Sequence, residues 1–337
     1  MLLNNYAVLF MLTLCQCTLR AETGSKPIER IDGISIAASR ELIDSAKLTP
    51  ITVTGAEWVA LMPYGFVRKD EGVIHFNSER QWIGERVEGI ENDIEICQKK
   101  NMKIMLKPHV WVSRGEYTGN FIPEETGWNS LEISYKNYIL EFARVAEDCH
   151  VELFCIGTEW REFIKQRPEF WNGLIDSVRS VYSGQLTYAA NWDEYRETPF
   201  WNKLDYIGVN AYFPLTEKEY PTTSELVKAW EPFCQQLADK SEQTGKQILF
   251  TEYGYRSVAG TTIKPWESYN DLPESVEAQQ NALEGLYQAV WQRKWMAGGF
   301  LWKWYTIEPR WWKRRPTDYT PQEKPAMEVV RKWYWNN

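Results

Sequence analysis

The chain has 337 residues, with 18 Trp against 13 Phe, 38 Lys and Arg, 46 Asp and Glu, 3 His and a formal net charge of −8. At 25% charged and 44% apolar residues it is neither disordered nor collagenous. Acidity without a basic stripe argues against a nucleic-acid binder, and three His exclude most His-rich metal sites. The Trp excess has two readings, stacking platforms for flat ligands such as sugar rings and packing in a large core.

In chain order, residues 1–20 read as an export signal. Tyr6 to Leu14 is an apolar run of signal-peptide length, too short to span a bilayer, and Asn4 and Asn5 stand where basic residues are expected. Cys15 and Cys17 close the run. A Cys straight after an apolar segment resembles a lipoprotein processing site, which makes Cys17 the candidate lipid anchor. Ordinary cleavage near Ala21 is the alternative. Either way the chain is expected outside the cytoplasm, as a secreted, periplasmic or membrane-anchored protein. Residues 21–29, with Gly24, Ser25 and Pro27, read as a linker, and residues 30–337 as one domain.

Within that domain, short apolar runs rich in β-branched and aromatic residues alternate with stretches of three- and four-residue apolar spacing. The predicted strands are 31–38, 57–64, 103–111, 151–160, 185–192, 204–212, 247–253 and 298–305. Between them, Ile83, Val87, Ile90, Ile94 and Cys97 mark a helix, as do Tyr135, Tyr138, Phe142, Val145 and Cys149. Further helices follow Trp171 to Val181, Leu226 to Leu237, Leu283 to Trp295 and Glu323 to Trp333. The crossover 40–54 is interrupted by Pro50, and 193–203 has room for only a turn of helix. Eight strand–helix units predict an α/β protein, a (β/α)8 TIM barrel. A doubly wound open sheet is the alternative, but Gly33-Ile34-Ser35-Ile36-Ala37 is no phosphate-binding glycine loop. Cys97, Cys149, Cys155 and Cys234 read as buried thiols, with a Cys97–Cys149 disulfide as the alternative. The cluster Lys313-Arg314-Arg315 reads as a solvated loop.

In a barrel the chemistry sits at the C-terminal strand ends. Two carboxylates stand there, Glu159 and Glu252, each directly after an apolar run and each preceded by Thr. A charge is costly to bury in that place without a purpose. One such Glu would read as a salt-bridged rim residue; two, at the fourth and seventh ends, fit the pair that glycoside hydrolysis requires. The other strand ends offer Tyr64, His109, Trp111, Asn191, Trp192, Asn210, Tyr212, Trp302 and Trp304, a set able to hydrogen-bond hydroxyls and stack on sugar faces. Trp302 and Trp304 share one face of a regular strand. Lys107 and Lys303 stand behind these, and loop Trp residues such as Trp128, Trp266, Trp311 and Trp312 could rim a cleft. No HxH-type metal set and no nucleophile elbow is present. No cofactor is called for, and the expected partner is a β-linked oligo- or polysaccharide bound by a monomer.

These residues also carry a resemblance. The runs Ile156-Gly157-Thr158-Glu159, Tyr188-Ala189-Ala190-Asn191-Trp192, Asp205 to Leu215 and Thr251-Glu252-Tyr253-Gly254-Tyr255 look like glycoside hydrolase family 113. The family lies in the clan of retaining (β/α)8 glycosidases. The resemblance implies β-1,4-mannan hydrolysis with Glu159 as acid/base, Glu252 as nucleophile and Tyr212 as a donor to it. Thr158 stands where many clan members have Asn, so that Asn's contact to the sugar 2-hydroxyl is not carried over. Hydrolysis of another β-linked chain such as glucan or xylan, and a non-catalytic carbohydrate-binding barrel, are the alternatives.

Overall fold

A computed structural model describes residues 30–124, 127–268, 271–307 and 316–335. The expected signal, Cys17, the linker, Trp311, Trp312 and Lys313-Arg314-Arg315 lie outside the described residues. The strands are β1 (Ile31–Ile36), β2 (Trp58–Leu61), β3 (Tyr64–Val67), β4 (Ile74–Phe76), β5 (Lys103–Leu106), β6 (His109–Val112), β7 (Leu153–Thr158), β8 (Gln185–Asn191), β9 (Ile207–Asn210), β10 (Ile248–Tyr253) and β11 (Met296–Trp304). Eight of them close a barrel in the order β1-β11-β10-β9-β8-β7-β5-β2, and β4-β3-β6 form a side sheet. All neighbours in the barrel are parallel. The predicted (β/α)8 architecture is the observed one.

The helices are α1 (Ser45–Thr52), α2 (Val87–Lys99), α3 (Gly127–Asp148), α4 (Arg161–Gln166), α5 (Pro168–Arg179), α6 (Thr223–Thr244), α7 (Val276–Leu286) and α8 (Ala326–Trp335). The sequence punctuates them. Pro168 opens α5, where its missing N–H is no loss. Thr222 and Glu225 form a capping box on α6, and Gly245 ends it at φ +68°. The fifth crossover carries only the 3-10 turn Trp201–Lys203.

Two predicted strands are broken by proline. Pro63 and Pro108 lack the N–H that a barrel ladder needs, so β2 and β5 stop before them and the chain restarts as β3 and β6. The Tyr138 hydroxyl seals this break, 2.9 and 2.8 Å from the carbonyls of Pro63 and His109. His109 and Trp111 are thereby lifted off the barrel wall onto its rim.

Alternate strand residues divide the core in two. Ile31, Trp58, Met105, Leu153, Leu249 and Phe300 form a compact cluster inside the barrel. The much larger layer between sheet and helices holds Trp160, Trp171, Trp230, Trp291 and Trp304. Packing therefore accounts for much of the Trp excess. All four described cysteines are free thiols, so the Cys97–Cys149 alternative is not realised. Among the described residues no helix is long and apolar enough to cross a membrane.

Candidate active site

The C-terminal strand ends open into a cleft of about 1300 Å³. Glu252, in β10, reaches its floor and is buried. Two donors hold it: Lys107 Nζ lies 2.5 Å from Oε1, and the Tyr212 hydroxyl donates to Oε2 at 2.8 Å. Burial, reinforced by the charge of Glu252, drives the Tyr212 phenol well above its ordinary pKa, so it remains a neutral donor. Lys107 is fully buried and also reaches Asn210 Oδ1 at 3.3 Å and the Thr251 carbonyl at 3.4 Å.

Glu159 follows β7 in a different setting. Its backbone sits at φ +56°, a left-handed conformation that only surrounding structure holds for a residue with a side chain. The holds are its own N–H to the Ala189 carbonyl at 2.9 Å, and the next N–H, that of Trp160, to the Tyr188 hydroxyl at 2.6 Å. Asn210 Nδ2 donates to Glu159 Oε1 at 2.9 Å. Burial, and after it the charge of Glu252, pushes the Glu159 carboxyl up to about 8, against which the Asn210 hydrogen bond works. Glu159 is thus protonated at neutral pH, while Glu252 lies between a cation and a phenol. Asn210 joins the two, since its Oδ1 accepts from Lys107 Nζ and from Thr251 Oγ1 at 2.9 Å.

Around the pair the cleft is lined by Tyr64, His109, Trp111, Asn191, Trp192, Asn210, Tyr212 and Trp302, as expected from the strand ends. The His109 ring stacks on Trp302 with centroids 6.1 Å apart and lies 5.3 Å from Tyr64. Burial and the Lys107 charge hold its imidazole well below the usual pKa, so it is neutral. Its Nε2 is 3.6 Å from Glu252 Oε1, too far for a hydrogen bond. That atom and Thr158 Oγ1 are buried in the cleft wall with no hydrogen-bond partner among the described residues.

A family model for Glycoside Hydrolase Family 113 matches residues 41–324, most of the chain and both carboxylates. The chain belongs to glycoside hydrolase family 113. Among solved structures it is similar to the GH113 β-mannanase of Alicyclobacillus acidocaldarius in complex with ManMIm, with TM-score 0.79, 23% identity and coverage of 91% of this chain and 97% of that one. A second GH113 β-1,4-mannanase complex matches with TM-score 0.79 at 22% identity, over 92% of this chain and all of that one. A Faecalibacterium prausnitzii β-glucuronidase matches with TM-score 0.62 at 16% identity, over 91% of this chain but 49% of its own. At these identities the likeness is one of fold. No curated protein sequence matches.

Against this family 113 barrel, one expected site residue is misplaced. Trp304 is only 2% exposed and packs in the layer behind the sheet, whereas Trp302 faces the cleft. The register of β1 on β11 slips between Ile34 and Ile36, which pair with Leu301 and Trp304. This bulge adds a residue to β11 and breaks the alternation that would have put both Trp on one face. Trp160 likewise turns into the core, against Tyr135 and Phe163, and leaves the surroundings of Glu159 to other groups. Asn191 lines the cleft with its amide engaged, donating to the Tyr117 hydroxyl at 3.1 Å and accepting from the Trp192 N–H at 3.0 Å.

Sequence reasoning ranked Lys107 too low, although a lysine closing the apolar run Ile104-Met105-Leu106 carries the same signal as the two glutamates. It missed Arg161, at the start of α4, and Tyr117, Arg256, Asp318 and Tyr319, cleft residues from loops without periodicity. Among the described residues no cluster of His, Cys, Asp or Glu has the makings of a metal site.

Proposed function

We propose that the protein is an endo-acting β-1,4-mannanase that hydrolyses mannan or glucomannan by double displacement, with Glu159 as acid/base and Glu252 as nucleophile. The observation that carries this reading is the contrast between two carboxylates facing one cleft. Glu159 is held protonated by burial, and Glu252 is braced by Lys107 and Tyr212. In the first step a Glu252 oxygen attacks the anomeric carbon as Glu159 passes its proton to the leaving glycosidic oxygen. In the second, Glu159, now a carboxylate, takes a proton from the water that displaces Glu252, and configuration is retained. Thr158 Oγ1 and His109 Nε2, buried and unpartnered on the cleft wall, suit sugar hydroxyls. Trp302 beside His109, and Trp111 and Trp266 at the rim, suit sugar faces.

Mannan as the substrate is supported by the family and by solved family members named as β-mannanases. Endo attack is supported by an open cleft of about 1300 Å³, beyond the roughly 300–1,000 Å³ of small-molecule pockets. The reading includes export, with Cys17 as lipid anchor, on the strength of the Tyr6 to Leu14 run and a substrate too large to enter a cell.

The test is a product screen on mannan, glucomannan, xylan and cellulose oligosaccharides, with NMR of the first anomer released. Manno-oligosaccharides of retained configuration are expected. Glu159→Gln should lose about 10²–10⁴-fold in kcat, and Glu252→Gln all detectable turnover. Products from xylan or cellulose alone would overturn the mannan assignment. No product from any of the four would favour a binding barrel, and full activity in either variant would remove that residue from the chemistry.

A further inference from the structure

A third carboxylate stands behind the acid/base residue. Glu194, on the loop after β8, is buried and lies behind the cleft wall. Its Oε1 accepts from Arg161 Nε at 3.0 Å and from the Tyr117 hydroxyl at 3.1 Å, and its Oε2 from the Asn191 N–H at 3.4 Å. Arg161 sets its Nη2 2.7 Å from both oxygens of Asp193. The Tyr117 hydroxyl also accepts from Asn191 Nδ2 at 3.1 Å. Three separate segments thus meet on one buried carboxylate: the start of α4 two residues past Glu159, the end of β8, and the loop after β6 that carries Tyr117.

The groups bearing on Glu159 are Glu252, Lys107 and Asn210 on the floor, Tyr212 beside them, and Tyr117 and Glu194 on this wall. Burial pushes the Glu194 carboxyl up, against which Arg161 above all, then the Asn191 N–H and the Tyr117 hydroxyl, hold its charged form, while Asp193 adds to the rise. We propose that Glu194, clamped by Arg161, is a positioning residue that sets the net charge behind the acid/base carboxyl and locks the Tyr117 loop against the cleft.

The inference rests on Glu159 being the acid/base. A negative charge behind a carboxyl favours its protonated form, and a positive charge does the reverse. Arg161, ion-paired with Glu194, offsets the charge that Glu194 sets behind Glu159, so removing either one leaves the other uncompensated. A merely structural clasp has no such asymmetry, because breaking it from either side loosens the same loop.

The experiment measures kcat/KM against pH for the wild type, Glu194→Gln, Arg161→Gln and the double variant. Each is assayed on manno-oligosaccharides and on a dinitrophenyl β-mannoside, whose leaving group needs no proton. On the oligosaccharide, the alkaline limb should move to lower pH in Glu194→Gln, by on the order of one unit. It should move to higher pH in Arg161→Gln and return towards the wild-type position in the double variant. Limbs that stay in place, or move the same way in both single variants, would overturn the proposal. If Glu194→Gln does not fold, Arg161→Gln decides, since Arg161 is partly exposed and its expected shift is upward. An alkaline limb equally steep on the aryl mannoside in the wild type would instead overturn the role of Glu159.

Discussion

Lys107 is a fully buried amine in a barrel whose interior cluster, from Ile31 and Trp58 to Cys155 and Phe300, is apolar. Its desolvation is offset by three oxygens, of which the Glu252 carboxylate is the nearest at 2.5 Å. Such a pair is cheap to keep and expensive to halve, because the partner left behind is a buried charge without compensation. Lys107→Met should therefore destabilise the protein by about 3–5 kcal/mol. It should also cut kcat by about 10²–10³-fold, the usual effect of removing one donor that steadies charge at a reacting centre. The double variant Lys107→Met/Glu252→Gln, inactive but neutral, should recover most of the lost stability. Urea denaturation of the three proteins reads this, and a Lys107→Met variant as stable as the wild type would mean that no ion pair operates. The same residue shows what sequence can tell. Glu159 and Glu252 were legible because a charge directly after an apolar strand run has few bland explanations. Lys107 meets that criterion, but a lysine's long apolar stem lets it snorkel, so its burial could not be read without the fold.

At the scale of elements, the eight strands were legible from apolar runs, and their ends were not. The two proline breaks are visible in sequence, yet nothing there says that the chain resumes as a side sheet and carries His109 and Trp111 onto the rim. The bulge in β11 leaves no sequence mark, and beyond it Trp302 meets the cleft while Trp304 meets the core. Loop-to-loop contacts were equally hidden. Trp192, after β8, and Trp266, in the segment between β10 and α7, stack with centroids 5.5 Å apart and planes 18° apart. Trp266 remains 42% exposed and presents a flat face at the cleft edge. Trp266→Ala removes that face together with the support it gives Trp192, a loss of about 0.5–1.5 kcal/mol for an aromatic pair. KM on polymeric mannan should rise about two- to tenfold, with a smaller change in kcat, since the exposed Trp266 face stands at the cleft edge. Steady-state kinetics on mannan check this. A fall in kcat with KM unchanged would place the pair at the reacting sugar.

For the whole molecule, everything above depends on closing the barrel where the first strand meets the last. Ile31 of β1 pairs with Gly298 of β11 across 267 positions of sequence. The seam is pinned from outside. The Tyr334 hydroxyl donates to the Gly33 carbonyl at 2.7 Å and meets the Tyr253 hydroxyl at 2.6 Å, and Trp291 Nε1 donates to Asp32 Oδ1 at 2.8 Å. Gly298 itself is bound by geometry. It sits at φ +120°, and a Cβ there would fall 2.2 Å from the Ile31 carbonyl oxygen. Strain at such a φ costs about 1–3 kcal/mol, and the clash can be relieved only by moving backbone of the adjacent strand. Gly173 is the opposite case, exposed within α5 with nothing within 4 Å of its added Cβ. There alanine loses no contact and restricts the unfolded chain. Thermal and urea unfolding should therefore give shifts of opposite sign. Gly298→Ala should lose about 2 kcal/mol or more, and Gly173→Ala should gain about 0.5–1 kcal/mol. Because the strand ends that hold Glu159 and Glu252 are fixed only once the ring is closed, Gly298→Ala should also lose activity at temperatures where Gly173→Ala keeps it. Equal stability of the two variants would mean that the seam is slack and that the cleft is held by its neighbouring strands alone.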